Sequence, residues 1–111
     1  MSETIYRGVT WRDSWTVTNR ANGQPYDVTG ATITFTGKNR FSDADRLVDL
    51  SVGNGITITG SLVEVEIDGA ISAAWPAGIE SIICAGVALV VGDTEPKVFL
   101  PPFRIPVRDM P

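Results

Sequence analysis

Histidine is absent from this sequence, and cysteine occurs once, at Cys84. The first absence removes the side chain that most often moves protons near neutral pH, and with it every Ser-His or Cys-His catalytic arrangement. It also removes the usual His and Cys ligand sets of zinc. A single cysteine cannot form an internal disulfide, so a packed core must hold the fold. With Ile82, Ile83 and Ala85 around it, Cys84 reads as a buried structural thiol. Long apolar runs are missing as well. The longest mostly apolar stretch, Ile82 to Val91, is about half of what a membrane helix needs, and Gly86 interrupts it. The opening Met1-Ser2-Glu3-Thr4 is short and polar, which predicts neither a signal nor a transit peptide. No glycine-rich phosphate loop follows a strand and opens a helix.

Basic clusters are absent too. Nine Lys and Arg stand against thirteen Asp and Glu, a net charge of −4, and the cations are scattered from Arg7 to Arg108. Binding to duplex nucleic acid needs a basic patch that neutralises phosphates, so nucleic acid and anionic membrane surfaces are excluded as expected partners. These absences together predict a protein that is not an enzyme and that takes no cofactor and no metal.

What is present is a β-forming composition. The 111 residues suit one domain over residues 1–111, 43% hydrophobic and 20% charged, with 11 Gly and 7 Pro as turn formers. Threonine, valine and isoleucine dominate the remainder, and such residues pack well on pleated sheets. Period-two alternation recurs along the chain. Strands are predicted at Thr4–Arg7, around Trp11–Val17, at Ala31–Lys38 and Leu47–Val52, from Ile56, at Leu62–Asp68, at Ile79–Val91 and at Lys97–Arg108. Asp13 breaks the apolar face of the second strand and points to a bend or a sheet edge. Asn22-Gly23-Gln24-Pro25, Gly53-Asn54-Gly55 and Gly92-Asp93-Thr94-Glu95 read as turns, and Asn39–Arg46 as a polar loop. Gly86 signals a bulge or bend. The only helical candidate is Ala70–Trp75, stopped by Pro76, with Trp75 tucked under the sheets. The predicted class is therefore all-β: an antiparallel β-sandwich of about eight strands with one short helical turn.

Three groups of residues invite a functional reading. Glu64, Glu66 and Asp68 share one strand face, which suits a calcium site or a carboxylate pair, but a solvated face already explains them. Asp43-Ala44-Asp45 resembles a fragment of a calcium loop without its glycine or distal glutamate, and a plain polar loop is the preferred reading. Trp11 and Trp15 lie on one strand face, where core packing competes with a sugar-stacking platform. The remaining feature is the C-terminal segment, residues 99–111. Its Phe99, Pro101, Pro102, Phe103, Arg104 and Arg108 mix anchors, stiffness and charge. It reads either as a rigid edge strand or as an extended arm that docks on a neighbouring subunit.

The order of these pieces carries a resemblance. "TIYRGVTWRDSWTV" at Thr4–Val17 resembles the opening of small phage tail and baseplate domains. "GQPYDVTGATITFTGK" at Gly23–Lys38 looks like the signature of the immunoglobulin-like domain at the N-terminus of phage baseplate upper proteins. "GITIT" at Gly55–Thr59, "LVEVEIDGAISAAWPAG" at Leu62–Gly78 and a final hairpin continue the parallel over most of the chain. Two features depart from it: Val9 stands where an acidic residue is usual, and Pro101, Pro102 and Pro106 interrupt the last strand. The resemblance implies an immunoglobulin-like sandwich and a structural role in a virion assembled in a host cytoplasm, in its tail, baseplate, neck or head. It also implies other virion proteins as partners, and copies of the chain arranged as a symmetric homo-oligomer. The alternative is an adhesion module that binds a glycan through exposed Trp or Tyr.

Overall fold

The computed structural model describes residues 4–19, 21–40, 45–92, 94–95 and 97–109, with the backbone alone at Val98 and Phe99. Eight strands and one short helix follow in chain order: β1 (Ile5–Tyr6), β2 (Trp11–Thr16), β3 (Thr32–Lys38), β4 (Val48–Val52), β5 (Gly55–Thr59), β6 (Leu62–Ile67), α1 (Gly69–Ala73), β7 (Ser81–Leu89) and β8 (Lys97–Arg108). The fold is all-β.

The strands form one continuous sheet in the order β1-β8-β7-β3-β4-β5-β6-β2. It folds over on itself, so that β1-β8-β7-β3-β4 makes one wall and β5-β6-β2 the other, and it nearly closes as a barrel. The sheet is mixed, not purely antiparallel as the alternation implied. β1 pairs parallel with β8 (Ile5↔Val107, Tyr6↔Arg108), and β4 pairs parallel with β5 over two residues only. Both exceptions sit where the chain changes walls. At Ser51–Ile56 it makes a full loop, closed by backbone hydrogen bonds (Asn54 N to Ser51 O 2.9 Å, Gly53 N to Ile56 O 3.0 Å). Gly55 there has φ +93°, in the region that side chains resist, and a β-carbon would lie 2.7 Å from the Leu50 side chain.

Alternation places the core as the sequence implied. Ile33 and Phe35 on β3, Val63, Val65 and Ile67 on β6, and Ile82 and Cys84 on β7 are all buried. Each such large aliphatic or aromatic side chain stabilises the fold by about 1.5–3 kcal/mol relative to exposure. At the centre, Phe35 lies 6.5 Å from Trp11, 6.0 Å from Trp15 and 6.3 Å from Phe103, centroid to centroid. These rings come from β2, β3 and β8, so they bond one wall to the other.

The register of β7 on β8 shifts on both sides of Gly86, where the bulge was expected. Cys84 faces Phe103 and Gly86 faces Leu100, so Pro101 and Pro102 together oppose Ala85. Two residues against one relieve a ladder that proline cannot complete. Beyond the bulge, the Val107 N–H donates to Glu80 O at 2.9 Å. Alternation then turns the Pro106 backbone away from β7, where no donor is missed.

The helix begins one residue earlier than the sequence suggested, at Gly69, because Asp68 caps it. Its carboxylate accepts from Ala70 N at 2.8 Å. Trp75 beyond it is buried, and its indole N–H donates to Leu47 O at 3.0 Å.

Candidate functional site

The strand β8 carries the residues singled out for an interface, and the structure divides them. Pro101 and Pro102 are exposed at the bulge. Arg104 is exposed on the outer face and donates to Ser81 Oγ at 3.0 Å. Arg108 is exposed, and its guanidinium donates to the carbonyls of Glu80 (3.1 Å) and Val107 (2.9 Å). Phe103 goes the other way. It is half-buried, and its ring meets Trp15 edge-on at 6.2 Å, so its largest surface is engaged in the core. The side chain of Phe99 and residues 110–111 lie outside the described residues. β8 is a full strand of the sheet, paired along its length with β7. On its other side β1 covers only Val107 and Arg108.

The residues of the two resemblance motifs turn out to be joints of the fold. In the first, the Arg7 guanidinium donates to Trp75 O at 3.0 Å and to Pro76 O, and lies 3.7 Å from the Asp109 carboxylate. Gly8, at φ +84°, carries the chain from one wall to the other. Its N–H donates to Ser72 Oγ at 3.0 Å. Thr10 Oγ1 accepts from Gly69 N at 3.2 Å. In the second motif, the Asp27 carboxylate accepts from the Thr29 hydroxyl at 2.6 Å and from its backbone N–H at 2.9 Å. Those two bonds hold the Asp27 carboxyl below its ordinary range, the hydroxyl first and the N–H second. Val28 is buried and ties the turn to Gly60 O at 2.9 Å.

The acidic groups have local explanations. Asp68 is a helix cap. Glu66 pairs with Arg12 at 2.6 Å across β6 and β2, both side chains well exposed. Glu64 stands exposed between Ser14 and Thr57. Arg12, Asp13, Glu64 and Glu66 line an open groove of ≈ 800 Å³ on this wall. Among the described residues no group of three His, Cys, Asp or Glu side chains is placed to hold a metal ion. Asp43 and Ala44 lie outside the described residues. Asp13 stands on β2 at the end of the sheet order, which is the edge position its charge implied.

The tryptophans belong to the interior. Trp11 is only 4% exposed, and Trp15 is half-buried against Phe35 and Phe103. Cys84 is fully buried, and burial pushes its thiol up to about 12. No described helix is long and apolar enough to cross a membrane.

Sequence reading missed the outer face of β7. Ile83, Ala85, Val87 and Leu89 alternate with buried Ile82, Cys84 and Ala88, so this strand is apolar on both faces. The signal was present as the mostly apolar run from Ile82 to Val91, which has no polar alternate positions. No protein-family model and no curated protein sequence matches this chain.

Proposed function

We propose that the chain is a structural module of a bacteriophage virion that acts through protein–protein contacts and catalyses no reaction. The sequence resemblance to phage tail and baseplate domains supports this reading. The observation that carries it is the use made of the resemblance residues. Arg7, Gly8, Asp27 and Thr29 are spent on holding corners of the sheet together. A motif whose polar groups are satisfied internally transmits a shape rather than a chemistry. What the shape offers outward on its larger wall is a long β7 row of apolar side chains beside threonines, prolines and arginines. Such surfaces serve as contact faces in repeated assemblies.

The rival reading, a glycan-binding module, has less to rest on: the Trp11 and Trp15 rings face inward, which leaves Tyr6, 41% exposed, as the exposed aromatic ring among the described residues. Quantitative mass spectrometry of gradient-purified particles of the encoding phage tests the proposal. The expected result is this chain at a fixed ratio to the major capsid protein. Particles that lack it, from a lysate in which the chain is abundant, would overturn the reading.

A further inference from the structure

The two outer walls of this molecule differ in chemistry. On the larger wall, Ile83, Ala85, Val87 and Leu89 of β7 point outward. They stand in register with Lys38, Thr36, Thr34 and Thr32 of β3. Arg104 of β8 faces Ile83 from the other side. Ile83 therefore lies between two cations. No acidic side chain stands at the outward positions of β3, of β7, or of β8 from Arg104 to Arg108; on β4 of the same wall, exposed Asp49 stands opposite Thr36 and pairs with Arg46 at 3.4 Å. Neither Lys38 nor Arg104 has a carboxylate partner among the described residues. A dimple of ≈ 130 Å³ opens here, lined by Thr36, Lys38, Ile83, Ala85 and Pro102. It lies at the bulge, where Pro101 and Pro102 together oppose Ala85.

On the smaller wall the charge left without an ion-pair partner among the described residues is a carboxylate. Its outward face carries Leu62, Glu64 and Glu66 on β6, between Thr16, Ser14 and Arg12 on β2 and Thr59 and Thr57 on β5. Arg12 neutralises Glu66. Glu64 has no cation beside it among the described residues. Leu62 is the one apolar side chain on this face, half-exposed, and it stands one strand period, about 7 Å, from Glu64.

We infer that a second copy of this chain docks its smaller wall on the larger wall of the first. Leu62 enters the dimple, and Glu64 meets Lys38 and Arg104. This inference rests on the assembly reading above and names the partner within it. The match is of size, spacing and charge. A pocket on the order of 150 Å³ accepts a benzene-sized group, so one leucine side chain fits the dimple. The next outward residue along β6 then brings its carboxylate toward the paired cations. Because the two faces differ, the contact is heterologous. Repeated, it closes a ring or extends a row of copies, as a many-copy virion part requires.

Sedimentation velocity of the full chain, from micromolar to millimolar concentration and at low and high salt, reads this contact. The wild type is expected to form species beyond a dimer as concentration rises, and to lose them in high salt. Lys38→Glu and Glu64→Lys should each weaken association by about tenfold or more, since like charges then face each other. An equimolar mixture of the two should recover it, because each restores the other's opposite charge. Lys38→Gln and Glu64→Gln give a milder loss and guard against a folding defect in the reversed pair. A wild type that stays monomeric at millimolar concentration overturns the contact. So does a Glu64→Lys chain that associates as the wild type does, which would mean that the larger wall pairs with itself. Particle composition is measured separately. A chain found on particles yet monomeric alone would sink the copy-to-copy contact and leave the virion reading standing.

Discussion

The backbone N–H of Gly8 donates to the hydroxyl of Ser72 at 3.0 Å, and that hydroxyl donates in turn to Gly69 O at 3.2 Å. Ser72 is fully buried and lies 64 positions from Gly8. This relay joins the corner between β1 and β2 to the helix α1. Ser72→Ala takes the acceptor from the part-buried Gly8 N–H, and loss of such a hydrogen bond costs about 0.5–1.5 kcal/mol. Denaturant unfolding followed by tryptophan fluorescence should show a loss in that range.

The same corner forbids a side chain at Gly69. A β-carbon there would land on the carbonyl of Gly8, which is backbone and cannot swing aside. Gly69→Ala is expected to destabilise by at least the ~1–3 kcal/mol typical of overpacking, although alanine favours helix by about 1 kcal/mol. Thermal melts of the two chains check the sign.

Phe103 is exposed enough to be mistaken for an anchor, yet its ring bridges Trp15 and Phe35. Phe103→Ala should cost about 2–4 kcal/mol, somewhat under the full range for a buried phenylalanine, because part of the ring is already in water. A stability loss well below 1 kcal/mol would show that the ring is held for a partner instead.

Asp27 links the second turn to acid stability. Its folded pKa is depressed by Thr29, so its contribution is fully present above the unfolded carboxylate range, near 3.9, and is lost as pH falls through the lower folded value. Asp27→Ala should therefore melt below the wild type at pH 7, and the two melting temperatures should converge as pH drops toward 2. A gap that persists unchanged at low pH would assign the effect to something other than the carboxylate.

Cys84 titrates in the opposite sense. Its folded value, raised by burial to about 12, lies above that of an unfolded thiol near 8.5. The folded form is favoured below the unfolded value, and that preference fades as pH rises toward the folded one. Native protein at pH 8 should resist a thiol reagent such as Ellman's, and should react fully once denaturant is added. Rapid labelling without denaturant would contradict the buried placement.

Much of this architecture was legible in the residues. Ile33 with Phe35, and Val63 with Val65 and Ile67, declared their strands by alternation, and Asp13 marked an edge strand. Gly86 announced the bulge. The parallel pairing of β1 with β8 was not legible, because it joins Ile5 to Val107 across nearly the whole chain and no local pattern records such a partner. Arg7 and Ser72 were visible as residues but not as parts of one corner. For the candidate interface, Pro101 and Pro102 hid the phase of β8. The bulge puts Leu100 and Phe103 on the inner side three positions apart, so a simple count of two fails there. The apolar outer row of β7 was hidden for a different reason. A strand greasy on both sides looks like a fully interior one, and only its place in the wall shows that one side is bare.

The sheet begins at β1 and ends at β2, and these are neighbours along the chain, separated only by Arg7–Thr10. The hoop is therefore fastened there by a short peptide link and by the bonds of Gly8 and Thr10 to α1, not by a ladder. A protease nick between Gly8 and Val9 breaks no rung, and it leaves the two rims held by the hydrogen bonds of Gly8 and Thr10 to α1. Designed cleavage at that point should lower stability more than the same cut at the Asn22-Gly23 turn, because it frees a link that anchors α1. New termini for a permuted chain belong at the turn, not at the clasp.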